Sequence, residues 1–450
     1  MVFSSFEFLF RFLPIFIIIY FICPAKYRNA VLFFGSIVFY TYGESWYVLL
    51  LLASVLINYT LGRLMYRKTD HGRDVRQRVL LLAALLYDFG MLFFFKYSGK
   101  AEHLPLGISF YTFQIAAYII DVYRGKIPAE KSLIRLGTYL TMFPQLVAGP
   151  IVNYSEVSAA LKKRTITTAK FEEGVRTLII GLGAKVIIAD RIGLLWNDIR
   201  TIGVGSLSTE LAWLGAVAYS LELYFDFSGY SMMAIGLGKM LGFEFPVNFC
   251  FPYLSRSVTE FWRRWHITLG RWFREYVYIP LGGNRKGKAR TFINLMVVWV
   301  LTALWHGADY NFLVWGAMLL FFMILEKLFL LKWLEKSHVF SHIYLLLVVP
   351  VTWVAFAIPD IHQLGVYLSR MFPIFGGSRV FTHTGIFWQY FQQYNELLFL
   401  GVMFATPIPF MVYKKIKGNA LGVIAVAGIL VLSLYCMAIS TNNPFLYFNF

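Results

Sequence analysis

His306 ends an apolar run in the stretch Leu304-Trp305-His306-Gly307-Ala308-Asp309, and the run begins near Phe292. A helix rising 1.5 Å per residue places that histidine roughly 20 Å along the run, deep in the protein. An ionisable residue at such a depth is a functional candidate in itself. Neutral imidazole, with an unperturbed pKa of about 6.5, suits the removal of a proton from a hydroxyl. A packed histidine hydrogen-bonded to a neighbour fits the same position.

The second candidate is His266 in TEFWRRWHITLGRWFREY, Thr259 to Tyr276. Read as one helix, it carries Trp262, His266, Leu269 and Phe273 on an apolar face, with Arg264, Thr268, Arg271 and Glu275 on another stripe. The segment has two readings. It is either an interfacial anchor with a satisfied histidine, or a site where Arg263, Arg264, Arg271 and Arg274 meet the phosphates of an anionic donor. The nearby GGNRKGK, Gly282 to Lys288, is basic but is not a Walker phosphate loop.

Other polar positions carry weaker signals. Asp226 and Ser228 interrupt an apolar helix in YFDFSGYS, where a structural polar contact is the simpler reading. No GxSxG elbow accompanies Ser228. His338 and His342 are spaced i, i+4 but lack a third ligand, so no metal site is expected. The chain closes on NPFLYFNF, Asn443 to Phe450, whose aromatic residues are ordinary interfacial anchors.

These side chains need a frame, and composition says which. The 450 residues are 58% hydrophobic, 19% aromatic and 14% charged, with mean hydropathy +0.63, too much apolar surface for one soluble core. Apolar runs at Phe12 to Cys23, Trp46 to Leu61, Val79 to Phe95, Ile343 to Ile358, Leu397 to Val412 and Leu421 to Met437 read as membrane helices, because lipid leaves the backbone no other way to satisfy its polar groups. The prediction is an all-α polytopic protein of about 11 transmembrane helices with re-entrant or interfacial helices, forming a single domain over residues 1–450. Gly and Pro interruptions between Leu104 and Gly283 point to broken helices around a funnel. The first helix reads as retained, without the basic cluster or cleavage site of a signal peptide.

The net charge of +17 sits in short loops and not in one basic arm, which argues against nucleic acid as a partner. The loop Gly62 to Arg78, the segment Arg256 to Arg290, the link Lys327 to Lys336 and Lys414 to Lys417 are placed on the cytoplasmic side by their basic residues. Both termini and the region Pro359 to Glu396 then fall outside. Cys23, Cys250 and Cys436 are too scattered for a disulfide framework or zinc site.

Taken together, MVFSSFEFLFRFLPIF, LPLGISFYTFQIAAYIIDVYRG, FPQLVAGP, YFDFSGYS, PYLSRSVTEFWRRWHITLGRWFREYVYIPLGGNRKG, LWHGADYNFLVWG and NPFLYFNF resemble the membrane-bound O-acyltransferase family. The likeness runs from the first residues to the last and is strongest to the alginate O-acetyltransferase branch. It implies a ring of helices around a central funnel, with His306 as the catalytic residue and His266 as the second family histidine. It also implies an acyl group, acetyl in that branch, taken from a cytosolic thioester and delivered at the outer face of a bacterial cytoplasmic membrane. The donor would be a substrate, acetyl-CoA or an acyl carrier protein, with no permanently bound cofactor.

Phe445, Tyr447 and Phe450 match a Phe-X-Tyr-X-X-Phe ending in which the tyrosine is proposed to carry the acyl group. The implied partners are an extracytoplasmic SGNH-hydrolase-like acetyltransferase, a polysaccharide acceptor and membrane lipids. Two departures stand out: Met232 after YFDFSGYS, as in the D-alanyl branch, and Asp309 where Asn is usual. A D-alanyl-type or lipid/protein acyltransferase, or a lipid or polysaccharide transporter, are the alternatives.

Overall fold

The computed structural model describes residues 2–66, 74–99, 103–373, 384–440 and 445–446, and it contains helices and no strand among them. They divide into two compact units, Met1–Ile179 with Tyr230–Val247, and Ile180–Gly229 with Asn248–Leu446.

The first unit begins with α1 (Leu13–Ile22), α2 (Arg28–Gly43), α3 (Tyr47–Met65) and α4 (Val75–Tyr97). It continues through α5 (Ile108–Tyr123), α6 (Leu133–Thr141), the single turn α7 (Phe143–Leu146), α8 (Tyr154–Lys162) and most of α9 (Thr168–Gly183). Its centre is a phenylalanine cluster in which Phe143 meets Phe8, Phe12, Phe16 and Phe39 at centroid distances from 5.1 to 6.2 Å. Such ring pairs contribute about 0.5–1.5 kcal/mol each beyond area burial.

The second unit carries the candidate chemistry. A π-helical segment (Ala184–Ala189) leads into α10 (Asp190–Ile202), then α11 (Thr209–Met240), whose last residues belong to the first unit. After α12 (Val258–Arg264) and α13 (Ile267–Phe273) come α14 (Gly287–His306), α15 (Tyr310–Leu325), the short α16 (Leu331–Leu334) and α17 (His338–Ala357). The chain ends through α18 (Ile361–Met371), α19 (Thr384–Phe404), α20 (Ile408–Ile416) and α21 (Ala420–Ile439).

Six helices among the described residues are long and apolar enough to cross a membrane: α3, α4, α14, Tyr310–Leu334, α17 and α21. A seventh span is possible only as the bent pair α19 and α20. The apolar run from Leu397 to Val412 is therefore not one straight helix, since the chain turns by 73° at Thr406–Pro407, where proline removes a backbone donor. The basic link from Lys327 to Lys336 is likewise mostly helix, continuing α15 to Leu334 through a π-helical turn. Between Leu104 and Gly283 the α-helices run from 4 to 16 residues, with one exception. α11 runs unbroken for 32 residues and carries the YFDFSGYS stretch.

Close approach explains one glycine of that stretch. A Cβ at Gly229 would lie 2.7 Å from the carbonyl oxygen of Gly181, so α9 and α11 touch backbone to backbone there. Small residues at helix crossings permit such contacts in membranes.

Candidate active site

His306 is the last residue of α14, a helix that starts at Gly287, earlier than the apolar run suggests. Its ring is buried edge-on against Trp315 (5.0 Å) and Phe356 (5.1 Å) and stacked at 6.2 Å on Phe312. Gly307 is required by that enclosure, because a Cβ would stand 2.4 Å from the Phe312 ring. Asn311 fixes the opposite wall. Its amide donates to the carbonyls of Ala355 (3.2 Å) and Phe356 (2.8 Å), which satisfies the end of α17 and holds Phe356 against the imidazole.

His266 does not ride one long helix. The chain breaks at Trp265 and His266, between α12 and α13, and His266 adopts φ 42°, ψ 53°, a left-handed conformation costly for a residue with a Cβ. The helical stripes expected over Thr259 to Tyr276 are thereby overturned.

Asn248 holds this break. Its backbone carbonyl accepts the Ile267 N–H at 2.9 Å, and its Oδ1 accepts from the Thr268 N–H (3.3 Å) and Thr268 hydroxyl (2.9 Å). The fixed Thr268 N–H identifies that Asn248 atom as oxygen, so the contact at 3.1 Å has His266 Nδ1–H donating to it. Nε2 is left as the basic nitrogen. Burial pushes the His266 pKa down to about 3, which keeps the ring neutral at pH 7.

Trp305 brings the two histidines together. Its ring is 4.8 Å from His306 and 6.3 Å from His266. Around them, Trp262, Trp265, Trp299, Trp315 and Trp353 interlock at centroid distances from 4.8 to 6.1 Å and tie α12, α14, α15 and α17 into one frame. Glu326 secures the near end of α12 by accepting the Val258 N–H (2.5 Å) and Thr259 N–H (2.9 Å), and Tyr344 donates to the same carboxylate at 3.1 Å.

The described end of the tail lies in the same neighbourhood. Phe445 is buried with its ring 5.9 Å from Phe227, and Phe227 stands edge-on to His266 at 4.7 Å. The Leu446 N–H donates to Asp226 Oδ2 at 2.9 Å. Tyr447 and Phe450 lie outside the described residues.

The arginines separate. Arg264 pairs with Glu260 at 2.6 Å and, with Arg256, Leu254 and His342, lines a cavity of about 410 Å³. Arg263 and Arg274 are exposed and Arg271 is half-buried, and none of the three lines that cavity. Arg256 was not singled out in the sequence, nor were Asn248, Asn311 and Glu326. Lys185, a lysine inside the apolar run Ala184 to Ala189, carried a usable signal, since an ionisable residue in such a run is expected to have a partner. Among the described residues no group of three or more His, Cys, Asp or Glu is placed to hold a metal ion.

Fold and site define a class: an all-helical, multi-pass membrane protein with two buried histidines in one aromatic frame. Residues 126–369 match the model of the MBOAT, membrane-bound O-acyltransferase family. The chain is 41% identical over 379 residues to the probable alginate O-acetylase AlgI of Pseudomonas fluorescens, covering 83% of this chain and 76% of that protein. It is 34% identical over 364 residues to the peptidoglycan O-acetyltransferase of Helicobacter pylori, covering 70% and 68%. Against the teichoic acid D-alanyltransferase of Bacillus subtilis it is 26% identical over 273 residues, 57% and 68% of the two chains.

The chain belongs to the membrane-bound O-acyltransferase family. It is an acyltransferase of the membrane, and the transporter alternative falls away.

Proposed function

We propose that this enzyme takes an acetyl group from a cytosolic thioester and passes it across a bacterial cytoplasmic membrane for O-acetylation of an extracytoplasmic polysaccharide. The observation that carries the reading is the pair of buried histidines on one tryptophan, with the described end of the tail one ring away from His266. Identity to the two relatives named for O-acetylation is higher and covers more of this chain than identity to the D-alanyltransferase, which favours acetyl over D-alanyl.

In this reading His306 removes the proton of an accepting hydroxyl, that of Tyr447, as its oxygen attacks the thioester carbonyl. The C–O bond forms and the C–S bond breaks. The proton passes to the departing sulfur, so the donor leaves as a thiol and His306 is neutral again. A second transfer moves the acetyl group from Tyr447 to a polymer hydroxyl, whose proton returns to the tyrosine oxygen, with an SGNH-hydrolase-like transferase completing delivery. His266, held neutral with Nε2 basic, orients or assists the transfer. Arg256 and Arg264 meet donor phosphates at their cavity. Both termini lie on the outer side. A protected path for the acetyl group alone spares the membrane the crossing of a charged donor.

The test is His306→Ala in cells that make the polymer. A variant that inserts and melts like the parent should leave the polymer unacetylated, and full acetylation by it would overturn the mechanism.

A further inference from the structure

Asp226 Oδ2 accepts the backbone N–H of Leu446 at 2.9 Å, the residue directly before Tyr447. Its other oxygen is 2.6 Å from Lys185 Nζ, and Lys185 also donates to Asp190 Oδ1 at 2.7 Å. Lys185 and Asp226 are 3% and 1% exposed, and without Lys185 the Asp226 carboxylate would be a buried charge with no counter-ion. Lys185 projects from the π-helical segment Ala184–Ala189, a widened backbone that recurs at functional sites. Phe227, the next residue along α11, carries the Phe445 ring. One helix turn thus grips two successive tail residues, one by its backbone and one by its ring, while the other face of the Phe227 contact is His266.

We propose that the Lys185–Asp226 pair is a latch that seats the C-terminal tail, with Asp226 a positioning residue that holds residue 446, the chain neighbour of the proposed carrier Tyr447. The proposal rests on the acyl-carrier reading of Tyr447 for its consequence, but the latch itself does not. Lys185 neutralises Asp226 and orients it, and the carboxylate oxygen left over takes the one backbone donor of Leu446. A charge-assisted bond to a backbone N–H is stronger than a neutral one, and it is indifferent to the tail's side chain.

Two double variants separate acceptor from charge. Lys185→Met with Asp226→Leu removes both charges and the acceptor. Lys185→Met with Asp226→Asn removes both charges and keeps an acceptor oxygen. The readouts, on the full chain in detergent, are chymotryptic cleavage within residues 443–450 and acetyl occupancy of Tyr447 by intact mass.

The leucine double variant should be cleaved about tenfold faster or more and lose acetyl occupancy to a similar degree, the size expected for one hydrogen bond to a charged group. The asparagine double variant, which keeps the acceptor but only a neutral bond, should fall between the leucine variant and the parent. Leu446→Pro, which deletes the donor and leaves the ion pair intact, should behave like the leucine variant and covers the case in which that variant does not fold. Equal cleavage of the leucine and asparagine variants, or parental protection in Leu446→Pro, overturns the latch. A released tail with undiminished acetyl transfer to polymer upholds the latch and overturns Tyr447 as carrier.

Discussion

His266 occupies a left-handed backbone conformation that an ordinary side chain avoids, and Asn248 supports it from both backbone and side chain. Strain retained at a buried imidazole marks a position where ring orientation matters. Its titration follows from its burial. Below about pH 6.5 the unfolded chain binds a proton on this histidine, while the folded one resists until about 3. The unfolded state therefore holds more protons in that window, and stability falls as pH drops through it, by up to about 1.4 kcal/mol per pH unit. Melting curves from pH 7 to pH 4 should show a steeper loss for the parent than for His266→Gln. Parallel curves would remove the assignment.

Gly307 offers a second test at this scale. Gly307→Ala pushes a methyl into the Phe312 ring and disturbs the wall of His306. Activity should fall about tenfold or more, an overpacking cost of about 1–3 kcal/mol, and Phe312→Leu in the same chain should recover part of it. A strictly additive double variant would place the effect elsewhere.

Among elements, α12 is the one whose placement decides the site, because it carries the approach to His266 and has only seven residues. A helix that short leans on its caps, and the Ser257 hydroxyl accepts only the Glu260 N–H, at 3.0 Å. Glu326, from a different part of the chain, accepts two more of its first backbone donors. Glu326→Gln keeps an acceptor and should lower stability modestly. Glu326→Leu leaves one buried and one half-buried N–H unsatisfied and should cost about 2–4 kcal/mol, with kcat falling in step as His266 shifts. Thermal melting in detergent together with steady-state kinetics checks this, and a leucine variant as active as the glutamine variant would free α12 from the anchor.

For the whole molecule, direction is the question. If the acetyl group crosses the membrane, Lys414 to Lys417 and Tyr447 must lie on opposite sides. Cysteines placed at Lys415 and at Asn443 should label with a membrane-impermeant reagent from inside and outside respectively. In cells fed labelled acetate, intact mass of the C-terminal peptide should show an acetyl adduct that Tyr447→Phe abolishes. Labelling of both cysteines from one side would refute vectorial transfer.

Membrane class, helical architecture and family were legible in the sequence because each is written in local pattern: apolar run length, charge in short loops, and stretches such as LWHGADYNFLVWG that survive as strings. The burial of His306 was legible for the same reason, as a costly residue in an apolar run. The break at His266 was not. Nothing local opposes a helix from Thr259 to Tyr276, and the conformation is imposed by Asn248, eighteen residues away. Arg256 gained its place beside Arg264 only through folding, and Asp226 found its partners 41 and 220 residues away in the chain. Local pattern specifies what a segment prefers to be; which buried polar groups satisfy one another depends on contacts between segments, and those exist only once the chain has folded.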